Sequence, residues 1–429
     1  MSDRYKNSEA FLDRALAVIP LGSQTFSKSK TALPFGVSPY FVSHAKGCRM
    51  WDIDGNEYLD FVNALACVNL GYQDPDVDAA VRKQMESGVT FSLPHRIETE
   101  VAELLVELVP CAERVRFAKN GTDATSGAIR VARAYTGRSR VAVCGYHGWQ
   151  DWYIGTTARD LGVPAAVKDL SHTFAYNDIA SLDRILDAHP GEFAAVILEP
   201  MNATYPQNNF LEQVKVAAHR HGALLVFDET ITGFRYAVGG AQQEFNVTPD
   251  LATFGKGIAN GYPLSALVGK AQYMQVVEDI FFSGTFGGET LSLAAAKAVL
   301  QKLKTQPVVQ TLRARGQKII DGVSQIITEL NATALLGITG HPSWSFLAFR
   351  PAGDVSAVEM KTFFLQEVFK RGVYTLGTHN LSYAHAEADI DKLLACYREV
   401  FPLIVHSVAD GSLLSRLDCE PLVPLFKVR

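Results

Sequence analysis

Between residues 61 and 300 the chain repeats one alternation, a short apolar run and then a helical stretch, and this more than anything else limits what it can fold into. "VRFA" at 115, "VAVC" at 141, "AAVIL" at 194, "LLVFD" at 224 and "LATF" at 251 are each of strand length. Runs this apolar are buried on both faces, and the intervening helices supply the cover. The pattern predicts an α/β domain on a mainly parallel sheet, with helices on both faces.

The flanks read differently. Residues 1–60 suggest a helix and then a hairpin, because "GCRMWDIDGNEYLDF" alternates around the turn signal Asp54-Gly55. From residue 301 a long helix, short strands such as "WSFLAFR" and further helices indicate a second, smaller α+β domain over 301–429. With 429 residues, 48% of them hydrophobic, the chain has enough apolar material for two or three domains. The net charge of -5 is spread along the chain with no basic stripe, so neither nucleic acid nor a membrane surface is an expected partner. The longest apolar runs are too short to span a bilayer, and the first residues read as an ordinary helix rather than a signal peptide. Six cysteines without a CxxC pair fit a reducing compartment, which makes the cytoplasm the expected location. No metal-ligand spacing is present: His219 and His221, two apart on a helix, point in different directions.

In an open parallel sheet, ligands bind beyond the C-terminal ends of the strands. After "VRFA", Lys119-Asn120-Gly121 turns into a helix that begins at Thr122-Asp123 and closes at Gly137. Exposed amides and a hydroxyl at a helix start suit a phosphate, although a capped helix alone would look the same. After "VAVC" comes "GYHGWQDW", where Tyr146 or His147 between glycines offers a flat face and Trp149 and Trp152 could wall a pocket. After "AAVIL" comes Glu199, and after "LLVF" come Asp228 and Glu229, with Arg235 as their ordinary structural partner. After "LATF" comes Lys256, set between glycines with no acidic residue in "ATFGKGIANGYPLSALVG". A lysine amine, a strand-end carboxylate and a phosphate cradle are the set that pyridoxal phosphate requires. Apolar surroundings disfavour the charged amine, which suits a lysine that must act as a nucleophile.

The chain resembles the class III (ornithine/ω-type) aminotransferases, fold-type I pyridoxal phosphate enzymes. Within that class it is most similar to the glutamate-1-semialdehyde aminomutase group and the related amino-sugar aminotransferases. "WDIDGNEYLDF", "NGTDATSGAIRVARAYTGR", "GYHG", "ILEP", "VFDETITGFR", "FGKGIANGYPLSALVG" and "GTFGG" carry the resemblance across nearly the whole chain. It implies that Lys256 forms the Schiff base and shuttles protons, and that Asp228 holds the ring nitrogen protonated. It implies further that Gly121 and Thr122 bind the phosphate, Tyr146 stacks on the ring with His147 beside it, and Glu199 and Glu229 line the site. Thr285, in "SGTFGG", would reach the cofactor phosphate of a neighbouring subunit, making the active unit a homodimer. The aminomutases carry an N-terminal "NSPVR" that is here "SQTFSKS", leaving Thr25 and Lys28 near the carboxylate-binding positions, and Thr204 stands where they have an asparagine. A lysine does not reproduce the bidentate arginine fork.

The expected activity is therefore transfer of an amino group from an amino donor to an aldehyde or ketone of a sugar or polyol. Thr25, Ser27, Lys28, Trp149, Asp151, Trp152 and Asn202 are the expected substrate rim. The competing readings are a glutamate-1-semialdehyde aminomutase and, from another class, a pyridoxal-phosphate-binding protein without turnover.

Overall fold

Every one of the five apolar runs becomes a strand of a single seven-stranded sheet. The computed structural model describes residues 3–29 and 31–423. The strands lie in the order Arg114–Ala118, Ser265–Gly269, Leu251–Phe254, Leu224–Asp228, Phe193–Leu198, Arg140–Cys144, Ser171–Thr173. All pairings are parallel except those of Ser265–Gly269, which runs antiparallel to both its neighbours. The register sets Cys144 beside Leu198, Leu198 beside Phe227, Asp228 beside Thr253, Phe254 beside Ala266 and Ala118 beside Ser265. One edge of the sheet thus collects the ends of five strands that lead into the five sequence motifs.

The chain divides into two compact units. The larger holds this sheet, over Ala66–Asn69 and Asp74–Val309. The Phe193–Leu198 and Leu224–Asp228 strands are buried along their whole length, as expected of central parallel strands covered on both sides. Val141, Val143, Ala195, Ile197, Val226 and Leu251 pack with Ile129 and Val131 of the Gly121–Thr136 helix in one apolar cluster. That helix closes on Gly137, whose φ of 69° is the left-handed cap the sequence signalled.

The second unit joins Met1–Leu65 and Leu70–Gln73 to Gln310–Leu425. Arg49–Asp52 and Glu57–Asp60 form the expected hairpin, with Gly55 at φ 85° in its turn, and Val373–Tyr374 adds to it in parallel. A second sheet pairs Leu336–His341, Trp344–Phe349 and Thr378–Asn380, and the Ala357–Lys370 and Glu387–Ala409 helices complete the α+β unit. No helix among the described residues is long and apolar enough to cross a membrane.

Candidate active site

The site is assembled at the collecting edge of the sheet. Gly121 begins a 16-residue helix whose first amides have no partner within the helix. Asp123, in the first turn, accepts from the Asn120 amide at 2.8 Å, which fixes the entry of the chain and leaves the Gly121 and Thr122 amides available. The "GYHG" loop lies against this helix start. A Cβ built on Gly148 would sit 2.3 Å from Thr122 Oγ1, and φ at Gly148 is +107°. Thr125 Oγ1 donates to the His147 carbonyl at 2.9 Å, and the Trp149 amide reaches Thr122 Oγ1 at 3.4 Å.

Lys256 follows its strand at φ 42°, a left-handed conformation for a residue with a side chain. Holding it there costs about 1–3 kcal/mol, strain of the kind that collects at functional sites. The residue after it is closely packed: a Cβ on Gly257 would lie 2.2 Å from Asn69 Nδ2. Lys256 is half-buried, and no carboxylate is within ion-pair distance of it among the described residues. Gly255, just before it, comes within 3.7 Å (measured from a built Cβ) of the Gly121 Cα, and Thr230 packs against both glycines. The lysine and the helix start are therefore neighbours.

Asp228 is buried at its strand end. Its Oδ2 meets His147 Nδ1 at 2.8 Å, while Oδ1 accepts from the Thr230 amide at 3.1 Å and the Thr253 hydroxyl at 3.2 Å. Burial alone would raise this carboxyl, but the hydrogen bond and charge of His147 and the Thr230 amide outweigh it and hold it below its ordinary value. Glu199 accepts from the Tyr146 amide at 2.9 Å and from Asn202 Nδ2 at 3.2 Å. Its carboxyl is pushed above the usual range, first by burial and then by the negative charge of Asp228.

Three expectations, for Trp152, Glu229 and Arg235, need correction. Trp152 is not on a substrate rim: it belongs to the apolar core cluster, with its indole N–H donating to Ser126 Oγ at 2.9 Å. Glu229 does not line the site either. It is fully buried and accepts from Thr232 Oγ1, the Ala241 amide and both nitrogens of Gln242, closing the Gly240–Gln242 turn. Arg235 serves neither carboxylate, donating instead to Asn69 Oδ1 and the Ala66 carbonyl, and burial lowers it to about 10. Thr285 stands in an exposed turn, apart from the Lys256 cluster in hydrogen bonding. Thr25 and Lys28 lie in the other unit, both exposed; Thr25 precedes the short Phe26–Lys28 turn and Lys28 ends it. Tyr146 and Trp149 are exposed as expected, Trp149 at 68%. Thr230 and Thr253 were not anticipated, although a threonine inside the apolar run "LATF" is the one polar side chain there and was a legible signal.

The sequence pattern of the aminotransferase class-III family matches residues 33–380. The chain belongs to the class III aminotransferases. It is 34% identical over 411 residues to the 3-aminobutyryl-CoA aminotransferase of Cloacimonas acidaminovorans, covering 93% of this chain and 98% of that one. It is 35% identical over 423 residues to the glutamate-1-semialdehyde 2,1-aminomutase of Desulfitobacterium hafniense strain DSM 10664 / DCB-2, covering 92% and 97%. Among solved structures it resembles the PLP internal aldimine form of the Sphingopyxis sp. MTA144 FumI protein, with a TM-score of 0.88, 31% identity and coverage of 98% and 99%. This class III chain is an enzyme, and its cofactor is pyridoxal phosphate.

The residues present fit that cofactor. Free amides and the Thr122 hydroxyl at a helix start suit its phosphate, a carboxylate kept ionised in a buried setting suits a protonated ring nitrogen, and an amine without a carboxylate partner suits its aldehyde.

Proposed function

We propose that this enzyme transfers an amino group from an amino donor to an aldehyde or ketone in two half-reactions. The observation that carries the reading is the convergence of Lys256, the Asp228–His147 pair and the Gly121–Thr122 helix start at one sheet edge. When bound, pyridoxal phosphate supplies an aldehyde carbon that accepts the amino group and a ring that draws electrons from the adjacent bond. Lys256 Nζ would hold the cofactor through that carbon and, once displaced by a substrate amine, carry a proton between substrate and cofactor carbons. Asp228 would keep the proton on the ring nitrogen. The Gly121 and Thr122 amides would anchor the phosphate, and Tyr146, held by Glu199 through its amide, would orient the ring.

The acceptor is proposed to be a sugar or polyol carbonyl. Trp149 offers an exposed indole face for sugar C–H surfaces, and Asn202 an amide. An α-carboxylate would more often be gripped by an arginine fork than by Lys28. The aminomutase reading is favoured by the 35% identical aminomutase relative. A screen that pairs glutamate and other common amino acids with keto-sugars, a 3-oxoacyl-CoA and glutamate-1-semialdehyde separates these readings by kcat/KM. Turnover of the semialdehyde without any donor, faster than any sugar reaction, would replace the transferase reading with the mutase.

The active unit is proposed to be a homodimer in which Thr285 serves the phosphate bound by the partner subunit. Phe281 and Phe286, on either side of Thr285, are 83% and 59% exposed. Val89, Phe91 and Leu93 are also exposed, and Thr290 Oγ1 ties their segment to the Thr285 loop through the Gly88 and Val89 carbonyls. An apolar surface of this kind suits a subunit interface. A cytoplasmic location is proposed on the six free cysteines.

A further inference from the structure

Residues 281–289 carry Thr285 and form neither helix nor strand, yet they are tied down at both ends. Phe281, Ser283, Gly284, Thr285 and Phe286 are exposed, and Phe282 alone among them is half-buried, packed against the apolar core cluster. A segment without regular structure must find other donors for its carbonyls. Arg116 supplies two, with Nε at 3.0 Å and Nη2 at 2.8 Å from the Phe282 oxygen, and Arg130 Nη1 donates to the Phe281 oxygen at 3.0 Å. At the far end Lys119 Nζ pairs with Glu289 Oε2 at 2.9 Å. Gly127 makes the seat: a Cβ there would lie 2.4 Å from the Phe282 ring. A glycine inside a helix weakens it relative to alanine, and here the ring that fills the space accounts for it.

These anchors all belong to one strand, turn and helix. Arg116 lies on the Arg114–Ala118 strand, Lys119 in the turn, and Gly127 and Arg130 on the Gly121–Thr136 helix whose first amides are the proposed phosphate site. We propose that Arg116, Arg130 and Gly127 are positioning residues for the cofactor of the neighbouring subunit: they fix the loop that presents Thr285 to it. This rests on the reading that Thr285 serves the partner subunit's phosphate. A hydroxyl helps to bind a phosphate only while it stays within hydrogen-bond reach. A loose loop would lose conformational entropy each time the phosphate bound, and a loop already strapped to the sheet edge does not. One structural element thus serves two cofactors, its own at the helix start and the partner subunit's through the loop.

The test retitrates the stripped full-length enzyme with pyridoxal phosphate and reads the amount fixed on Lys256 by borohydride. Two homodimers are compared with the unaltered enzyme: Arg116→Gln/Arg130→Gln, which alters only exposed side chains, and Gly127→Ala, which displaces the Phe282 ring. In both, the cofactor dissociation constant is expected to rise roughly three- to tenfold, the worth of a few lost hydrogen bonds. Heterodimers of either variant with Lys256→Ala chains then separate positioning from packing. Their single lysine-bearing site takes its loop from the Lys256→Ala chain, whose anchors are intact, so its affinity is expected to return to that of the unaltered enzyme. A deficit that stays with that site would mean that the anchors act within their own subunit, and would overturn the proposal. Unchanged affinity in both homodimers would overturn it as well. Thr285→Ala examines the underlying reading separately. Unchanged affinity there would remove Thr285 from the phosphate, whereas weakened affinity there, with no effect of the anchor variants, would sink only the role of the anchors.

Discussion

Gly148 packs directly on Thr122: a methyl group at its Cα would lie 2.3 Å from Thr122 Oγ1, and its φ of +107° is one that side chains rarely adopt. The contact seats the "GYHG" loop on the start of the Gly121–Thr136 helix, where the phosphate is proposed to bind. Gly148→Ala should push that loop off the helix at a cost of about 1–3 kcal/mol. Cofactor affinity is expected to fall roughly tenfold or more, measured by equilibrium titration of the apoenzyme. Unchanged affinity would show that the two motifs do not form one site.

Lys256 occupies a strained backbone position without a carboxylate partner. Lys256→Ala should remain folded, because it keeps the Cβ that this backbone position already accommodates and loses only a half-buried side chain. Turnover is expected to drop by a factor on the order of 10³ or more. Borohydride reduction of the native holoenzyme followed by peptide mapping should label Lys256, and a label on another lysine would reject the assignment.

Asp228 has three hydrogen-bond donors around it and no arginine among them. Asp228→Asn preserves shape and removes charge, so kcat should fall roughly a hundredfold. Near-normal kcat would mean that the ring nitrogen is served elsewhere.

Glu199 yields a pH prediction. Its carboxyl is raised, so the native state keeps a proton at pH values where the unfolded chain has lost it. Its contribution is then most favourable in acid and declines as pH rises from the unfolded pKa through the folded one. Glu199→Gln still presents an oxygen to the Tyr146 amide and Asn202, without a charge to bury. At pH 8 the Tm should exceed that of the unaltered enzyme by about 2–4 °C, for about 1 kcal/mol in a unit of this size. The gain should vanish below about pH 4, where both states are protonated. A lower Tm at pH 8 would indicate that ionised Glu199 is a needed counter-charge.

Thr285 sits in an exposed turn flanked by exposed phenylalanines. Mixing Lys256→Ala chains with Thr285→Ala chains should yield heterodimers with one site lacking its lysine and the other with both groups intact. Activity should then rise above that of either parent. A monomer that stays active at high concentration would contradict a shared site.

The sequence alone determined five of the large sheet's seven strands, the left-handed helix cap at Gly137, the lysine that follows the fifth apolar run and the carboxylates at two strand ends. These are local matters: apolar runs, turn residues and the rule that ligands lie beyond strand ends. The strand-end rule alone could not tell Asp228 from Glu229, since adjacent carboxylates look alike until their partners are known. Packing separated them, giving Glu229 to the amides of Ala241 and Gln242 and Asp228 to His147, 81 residues distant. The same applies to the two tryptophans, of which Trp149 is exposed while Trp152 enters the core and stacks on the histidine. The histidine's partners were decided still further from the sequence. Its ring nitrogens face Asp228 Oδ2 and the Cys144 carbonyl, and the parallel register that sets Cys144, Leu198 and Phe227 side by side puts those oxygens in place.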